Sequence, residues 1–435
     1  MKRRALMLSL AALCVILFMP GIAVSIFSTW AFFCLVRRAT PEGDRKTVVS
    51  LLASSLALRI IVFCALQFFI LSRGSLDIFG DAQDNIINGI YLSDYFRGGA
   101  IIGKVIYAGR YNTHSMSFFN GIFFTFFGKD FIALKYMNLL AITAAGWLIY
   151  DFLRRTYSSV AGKIASAIFL FWPTIIAWSI TDLKEAHLIS CLVFMLWLLL
   201  ILSSKMKFWR RFACASLLVM LFFYVILLKS VILPIIAVSA AASIFYYFYV
   251  WLRRKGRRLA GRFVFMTLLS SVIFILWQTD LVFRIARDYY SVILSSYRGF
   301  VDSGGWNYSL FVRGSENYYT PVFFAKHFVK GWFHFMTEPL PWHLYSHNLL
   351  LSVPVVLLWY ALLFCSIVGL IKLKRFNRIS AFIPMLAFAF FYITVLGMSV
   401  ANIGTVIRFR DSITFVVVIL ASLAFCLPDR EKGNR

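Results

Sequence analysis

The chain has 435 residues, 61% of them apolar and 14% charged, with 44 Lys and Arg against 18 Asp and Glu. Soluble domains hold about 45–50% apolar and about 25% charged residues, and here the apolar residues come in runs of about twenty, the length that crosses a hydrocarbon core. A string of soluble domains is therefore excluded, and the net charge of +26 calls for a topological explanation before a nucleic-acid partner, which is not expected.

In chain order, the first apolar stretch, 5–36, is broken at Pro20-Gly21 and reads as a hairpin of two short helices. A cleaved signal peptide is the rival, since Lys2-Arg3-Arg4 precedes an apolar core, but no convincing Ala-x-Ala site follows. Spans are predicted at 48–72, 132–152, 162–180, 186–203, 210–228, 231–251, 262–280, 350–372, 380–398 and 412–427. Within the segment 73–131, the apolar run 115–127 reads as an interfacial helix or an extra shallow span. The expected fold is all-α: a polytopic transmembrane bundle of about 10–13 spans, forming a single integral membrane domain over 1–435. The seven cysteines lie in apolar runs without CxxC spacing, which speaks against a disulfide framework or a structural zinc site.

Lys and Arg are retained on the cytoplasmic side during insertion. Segments 1–4, 37–47, 153–163, 204–211, 252–263, 371–379 and 428–435 hold 27 of the 44 basic residues. Both termini are therefore expected in the cytoplasm of a multi-pass inner (plasma) membrane protein. Two long segments, 73–131 and 281–349, then form outer loops carrying interfacial helices. Arg59 falls near the middle of its span, where an ionisable group is expected to face the bundle interior; it either pairs structurally, the favoured reading, or holds the substrate's phosphate in a deep cavity.

Three polar clusters fall on the outer side of this topology. Gly80-Asp81-Ala82-Gln83-Asp84-Asn85 opens a stretch in which Ile86, Ile87, Ile90, Tyr91 and Phe96 suggest an amphipathic helix. Asp81 either caps that helix, a role Asp fills well, or stands as a general base or metal ligand above the bilayer. Thr181-Asp182-Leu183-Lys184-Glu185-Ala186-His187 forms a tight turn. Asp182 and Glu185 fit a capping box there, yet four ionisable groups in six residues exceed what a cap requires, and Lys184 suits a phosphate. Arg408-Phe409-Arg410 follows Asn402-x-Gly404-Thr405. Its arginines either snorkel to the interface or form a phosphate site, since guanidinium forks match phosphate oxygens. In 281–349, Trp306, Tyr308, Tyr318, Tyr319, Trp332 and Trp342 read mainly as an interfacial belt, and His343-x-x-x-His347 is a weak metal signal. The Walker, HExxH and GxSxG patterns are absent.

This order of features resembles the GT-C superfamily of membrane glycosyltransferases, nearest to bacterial relatives of the protein mannosyltransferase and aminoarabinose transferase type. The likeness rests on five stretches: Gly80-Asp81-Ala82-Gln83-Asp84 after an early span, Ser117–Gly128, Phe152-Leu153-Arg154-Arg155, Phe171-Trp172-Pro173-Thr174 through Asp182-Leu183-Lys184-Glu185, and the late Arg408-Phe409-Arg410. The resemblance implies sugar transfer from a polyprenyl-phosphate-linked donor, within membrane lipid, to a glycan, lipid or protein acceptor of the cell envelope. It implies catalytic roles for Asp81, Asp84, Asp182 and Glu185, with Asp81 as the general base. Lys184, Arg408 and Arg410 would bind the lipid phosphate. No cofactor is certain; a divalent metal, Mg or Mn, is the one to consider. Two alternatives stand beside this reading: an O-antigen-type polysaccharide polymerase or ligase, and a lipid-linked sugar transporter or flippase.

Overall fold

The structure is a computed structural model that describes residues 20–98, 114–204, 206–254, 290–299, 321–340 and 353–428. A backbone N–H or C=O without a partner in hydrocarbon costs several kcal/mol, so an apolar run closes its bonds internally. The runs are accordingly helices, with no strand among the described residues. Eight of them are long and apolar enough to cross a membrane, nine if one bent pair counts as a span. The chain is an all-α, multi-pass membrane protein. It divides into two compact units, Met1–Ser230 with Phe425–Arg435, and Val231–Ala424.

In the first unit α1 (Pro20–Ala39), α2 (Glu42–Ser72), α3 (Gly80–Phe96), α4 (His114–Phe127), α5 (Phe131–Thr156), α6 (Ser159–Leu170), α7 (Pro173–Ser179), α8 (Lys184–Leu202) and α9 (Phe208–Leu228) follow one another. Long helices alternate in direction, and each end of the unit has its own polar fastening. At the end holding the start of α2, Asp44 accepts from Tyr150 Oη (2.7 Å), Lys163 Nζ (3.0 Å) and Ser159 Oγ. Nearby Asp151 accepts from Arg154, Arg155 (2.6 Å) and Trp197 Nε1 (2.9 Å). The basic segments 37–47, 153–163 and 204–211 all fall at this end, as one-sided retention of Lys and Arg requires.

The expected span 162–180 is not straight. Pro173 lacks an N–H and pushes Trp172 into an extended conformation (φ −67°, ψ 122°), so α6 and α7 meet at 62°. The carbonyl freed at the break is used: Leu170 O accepts from Arg59 Nη2 at 2.6 Å, and the same guanidinium reaches Ser55 Oγ. Arg59 is fully buried and pairs internally, as expected of a charge at that depth.

α3 and α4 lie side by side and run in the same direction. Asn85 meets Ser117 and Asn120 near their starts, and Arg97 donates to the carbonyls of Phe124 (2.8 Å) and Thr125 (2.7 Å) at their ends. The buried face of α3 is Ala82, Asn85, Ile86, Gly89 and Ser93. A Cβ on Gly89 would stand 2.5 Å from Asn120 Cβ, so only glycine permits this approach. α4 has 14 residues and rises about 21 Å, short of a hydrocarbon core of about 30 Å. It is therefore not a straight span.

The second unit comprises α10 (Ile232–Arg254), a helical stretch at 290–299, α11 (Pro321–Thr337), α12 (Val353–Arg375), α13 (Ile383–Ser399) entered through the 3-10 turn Ile379–Phe382, α14 (Ile403–Asp411) and α15 (Thr414–Leu423). The expected span 412–427 is a helix of ten residues, about 15 Å long. α14 runs on to Asp411 and a turn at Ser412-Ile413 consumes the start of the apolar run. At its far end Lys372 Nζ takes the Ala424 carbonyl at 2.5 Å. α15 packs on α12 with no clearance at Gly369, where a Cβ would stand 1.9 Å from Leu420 O. The expected span 262–280 and the first helix of the 5–36 hairpin lie outside the described residues, as do Trp306, Tyr308, Tyr318, Tyr319, Trp342, His343 and His347.

Candidate functional site

The two acidic turns of the first unit form one structure. Asp182 donates its N–H to Asp77 Oδ2 (3.1 Å), and Asn85 Nδ2 of α3 reaches the Asp182 carbonyl (3.2 Å). Asn138 Nδ2 of α5 holds the neighbouring Thr181 carbonyl (3.0 Å). At the centre lies a fully buried ion pair between Lys135 and Asp77, 2.9 Å apart. Asp77 Oδ1 also takes the Ile78 N–H (2.7 Å). The Lys135 ammonium is complete, with Leu76 O at 2.7 Å and Gln67 Oε1 at 3.1 Å beside Asp77. Such a pair offsets its desolvation only when its remaining hydrogen-bonding capacity is met, and here it is.

The two capping expectations do not hold. The N-cap of α3 is Phe79, without a side-chain bond, and Asp81 stands in the first turn. The N-cap of α8 is Leu183, again without a side-chain bond, so Asp182 and Glu185 form no capping box. Asp182 is instead turned inward and fully buried, its Oδ2 accepting from Asn120 Nδ2. Its Oδ1 has no hydrogen-bond partner, and neither do Asn120 Oδ1 and Asn138 Oδ1. Burial pushes the Asp182 carboxyl up to about 7, against the Asn120 hydrogen bond; Asp77 raises it further, and Lys135 and the nearby Asn138 amide lower it.

Asp81 and Asp84 are both exposed, on the first turns of α3. Glu185 is buried in the first turn of α8, and Lys184, which starts that helix, is half-buried. One turn on, His187 Nδ1 meets Tyr224 Oη of α9 at 3.0 Å, beside Phe119. Of the predicted site residues, Asp81, Asp84, Asp182, Lys184 and Glu185 thus belong to one scaffold. Arg408 and Arg410 belong to the second unit.

There, Arg408 is half-buried and Arg410 buried. The Arg410 guanidinium lies over the Trp359 ring, 4.4 Å from its centroid, and donates to the Glu338 carbonyl. Glu338 is fully buried, and its carboxylate accepts from the Leu340 N–H (3.0 Å) and contacts His334 Nδ1 (2.6 Å). Positions two apart on a helix lie about 200° around its axis, so one member of an Arg-x-Arg pair faces inward.

Sequence reasoning missed Asp77, Asn85, Asn120 and Asn138, and in the second unit Glu338 and Trp359. Lys135, a charge inside an apolar run, was the one visible signal. Among the described residues no three His, Cys, Asp or Glu side chains gather as a metal-binding group, so the Mg or Mn expectation finds no ligand set of that kind there. No family model matches the chain, and no curated protein matches it.

Proposed function

We propose that the chain is a membrane glycosyltransferase that moves a sugar from a polyprenyl-phosphate donor to an acceptor hydroxyl at the outer face of the membrane. The observation that carries this reading is the exposed Asp81–Asp84 pair on a helix start, braced from beneath by the Asp77–Lys135–Asp182 network. A solvent-facing carboxylate on an immobilised helix is what a general base needs, since its geometry comes before its pKa. In the proposed step Asp81 takes the acceptor's proton as the oxygen attacks the anomeric carbon. The bond from that carbon to the lipid phosphate oxygen breaks, and its electron pair leaves with the phosphate. Lys184 offsets the charge that builds there, the electrostatic contribution that usually dominates such barriers. Arg410, in the second unit, is already committed to Trp359 and Glu338. Asp182 and Glu185, both buried, support the scaffold rather than meet the acceptor.

A transporter of lipid-linked sugars is the second reading, favoured by the broken α6–α7 helix and the buried ionisable network, since transporters use discontinuous helices and buried ionisable groups. Reconstitution in liposomes loaded with polyprenyl-phosphate hexose, together with an envelope extract supplying hydroxyl acceptors, separates the two. Transferase activity releases free polyprenyl phosphate together with a new glycosidic product, both detected by mass spectrometry. Movement of intact donor between leaflets, without release, gives the transporter instead.

A further inference from the structure

Hydrogen bonding around Asp182 is incomplete. Lys135 has three protons, and they are used by Asp77, Leu76 O and Gln67 Oε1. The Asn120 amide spends both protons, on Asn85 O and Asp182 Oδ2, whereas the Asn85 and Asn138 amides each spend one, on Asp182 O and Thr181 O. Gln67 Nε2 makes no bond to Asp182. Three buried oxygens remain without donors: Asp182 Oδ1, Asn120 Oδ1 and Asn138 Oδ1, on side chains that are all fully buried. The charges are unbalanced too. Lys135 neutralises Asp77, so an ionised Asp182 would be a second buried anion without a counter-charge, a state that costs several kcal/mol.

We propose that Asp182 is a buried proton-binding site, with its unpartnered Oδ1 carrying the proton. The proton turns Oδ1 from an orphaned acceptor into a donor and removes the unpaired charge. The raised Asp182 carboxyl agrees with this. The charged groups acting on it are Asp77, before α3, and Lys135 of α5; Tyr224 of α9 responds to its charge in turn. The turn that carries Asp182 also links α3 to α8, so loss of the proton bears on the part of the scaffold that holds Asp81. The inference does not rest on sugar transfer and holds equally for a transporter.

Infrared difference spectroscopy of the full chain in nanodiscs, with carboxyl-labelled aspartate, tests it without any substrate. The expected result is a protonated carboxyl signal that persists well above pH 5, disappears near pH 7 and is absent in Asp182→Asn. In Asn120→Leu, which removes the hydrogen bond that favours the anion, the midpoint moves upward. Thermal unfolding supplies a second readout. The native chain holds this proton more tightly than the unfolded one, so the stabilisation is complete below the ordinary value of 3.8 and is lost as pH rises through about 7; Asp182→Asn flattens that slope. A wild-type protein whose aspartates are all ionised by about pH 5, as ordinary carboxylates are, overturns the proposal. So does a neutral-range signal that survives in Asp182→Asn.

Discussion

Replacing Lys135 with Met lowers the stability of the folded protein by about 3–5 kcal/mol, the cost of leaving a buried partner charge uncompensated. Lys135 and Asp77 have no exposed side-chain surface, and the Lys135 ammonium joins three elements: its own helix α5, Gln67 of α2 and the chain at Leu76 and Asp77. Met keeps the volume and removes the charge. Asp77 must then either carry an unpaired anion, at a high desolvation cost, or take up a proton, which weakens its hold on the Asp182 N–H. The double variant Lys135→Met/Asp77→Asn recovers part of the loss, because no buried charge is left alone; coupled neighbours of this kind are non-additive. Denaturant unfolding in detergent measures both. Single and double variants that add independently would show that the pair is not coupled.

Asp81→Asn lowers the rate of sugar transfer by about 10²–10⁴-fold, the usual contribution of a positioned general base. The folded protein loses less than about 1 kcal/mol, the upper range for a surface carboxylate in a helix's first turn. The asymmetry follows from the structure: Asp81 is exposed, and Phe79 rather than Asp81 is the cap of α3. An amide cannot accept the acceptor's proton, but it preserves shape. The same substitution at Asp84 determines which of the two exposed carboxylates is the base. Equal, small effects at both positions would remove the base from α3 altogether. The assay is release of polyprenyl phosphate, with melting temperature recorded on the same preparations.

The long apolar helices were legible because lipid leaves a twenty-residue apolar run few alternatives, and the clustering of 37–47, 153–163 and 204–211 at one end follows from insertion chemistry. Pro173 was visible, but neither the 62° angle of the bend nor the reach of Arg59 from α2 to the freed Leu170 O is written in the local sequence. The short α15 was not legible, since composition alone does not place the turn at Ser412-Ile413. At the candidate site, the spacing of Asp182 and Glu185 satisfies a local pattern that tertiary contacts override. Asn120 and Asp77 draw Asp182 inward, and α8 begins one residue later. Partners 62 and 105 positions away leave no local trace. Arg408 and Arg410 are different: their two-residue spacing on a helix already separates their faces.

The placement of Asp84 relative to the membrane bears most directly on the account, because a base acting on an outer-face donor must be reachable from outside. A single cysteine at Asp84, in a background with the native cysteines replaced, is predicted to react with a membrane-impermeant maleimide in intact cells. A cysteine at Arg155, at the opposite end of the first unit, should react only after permeabilisation. The reverse pattern would contradict the outer-face site and the transferase reading built on it.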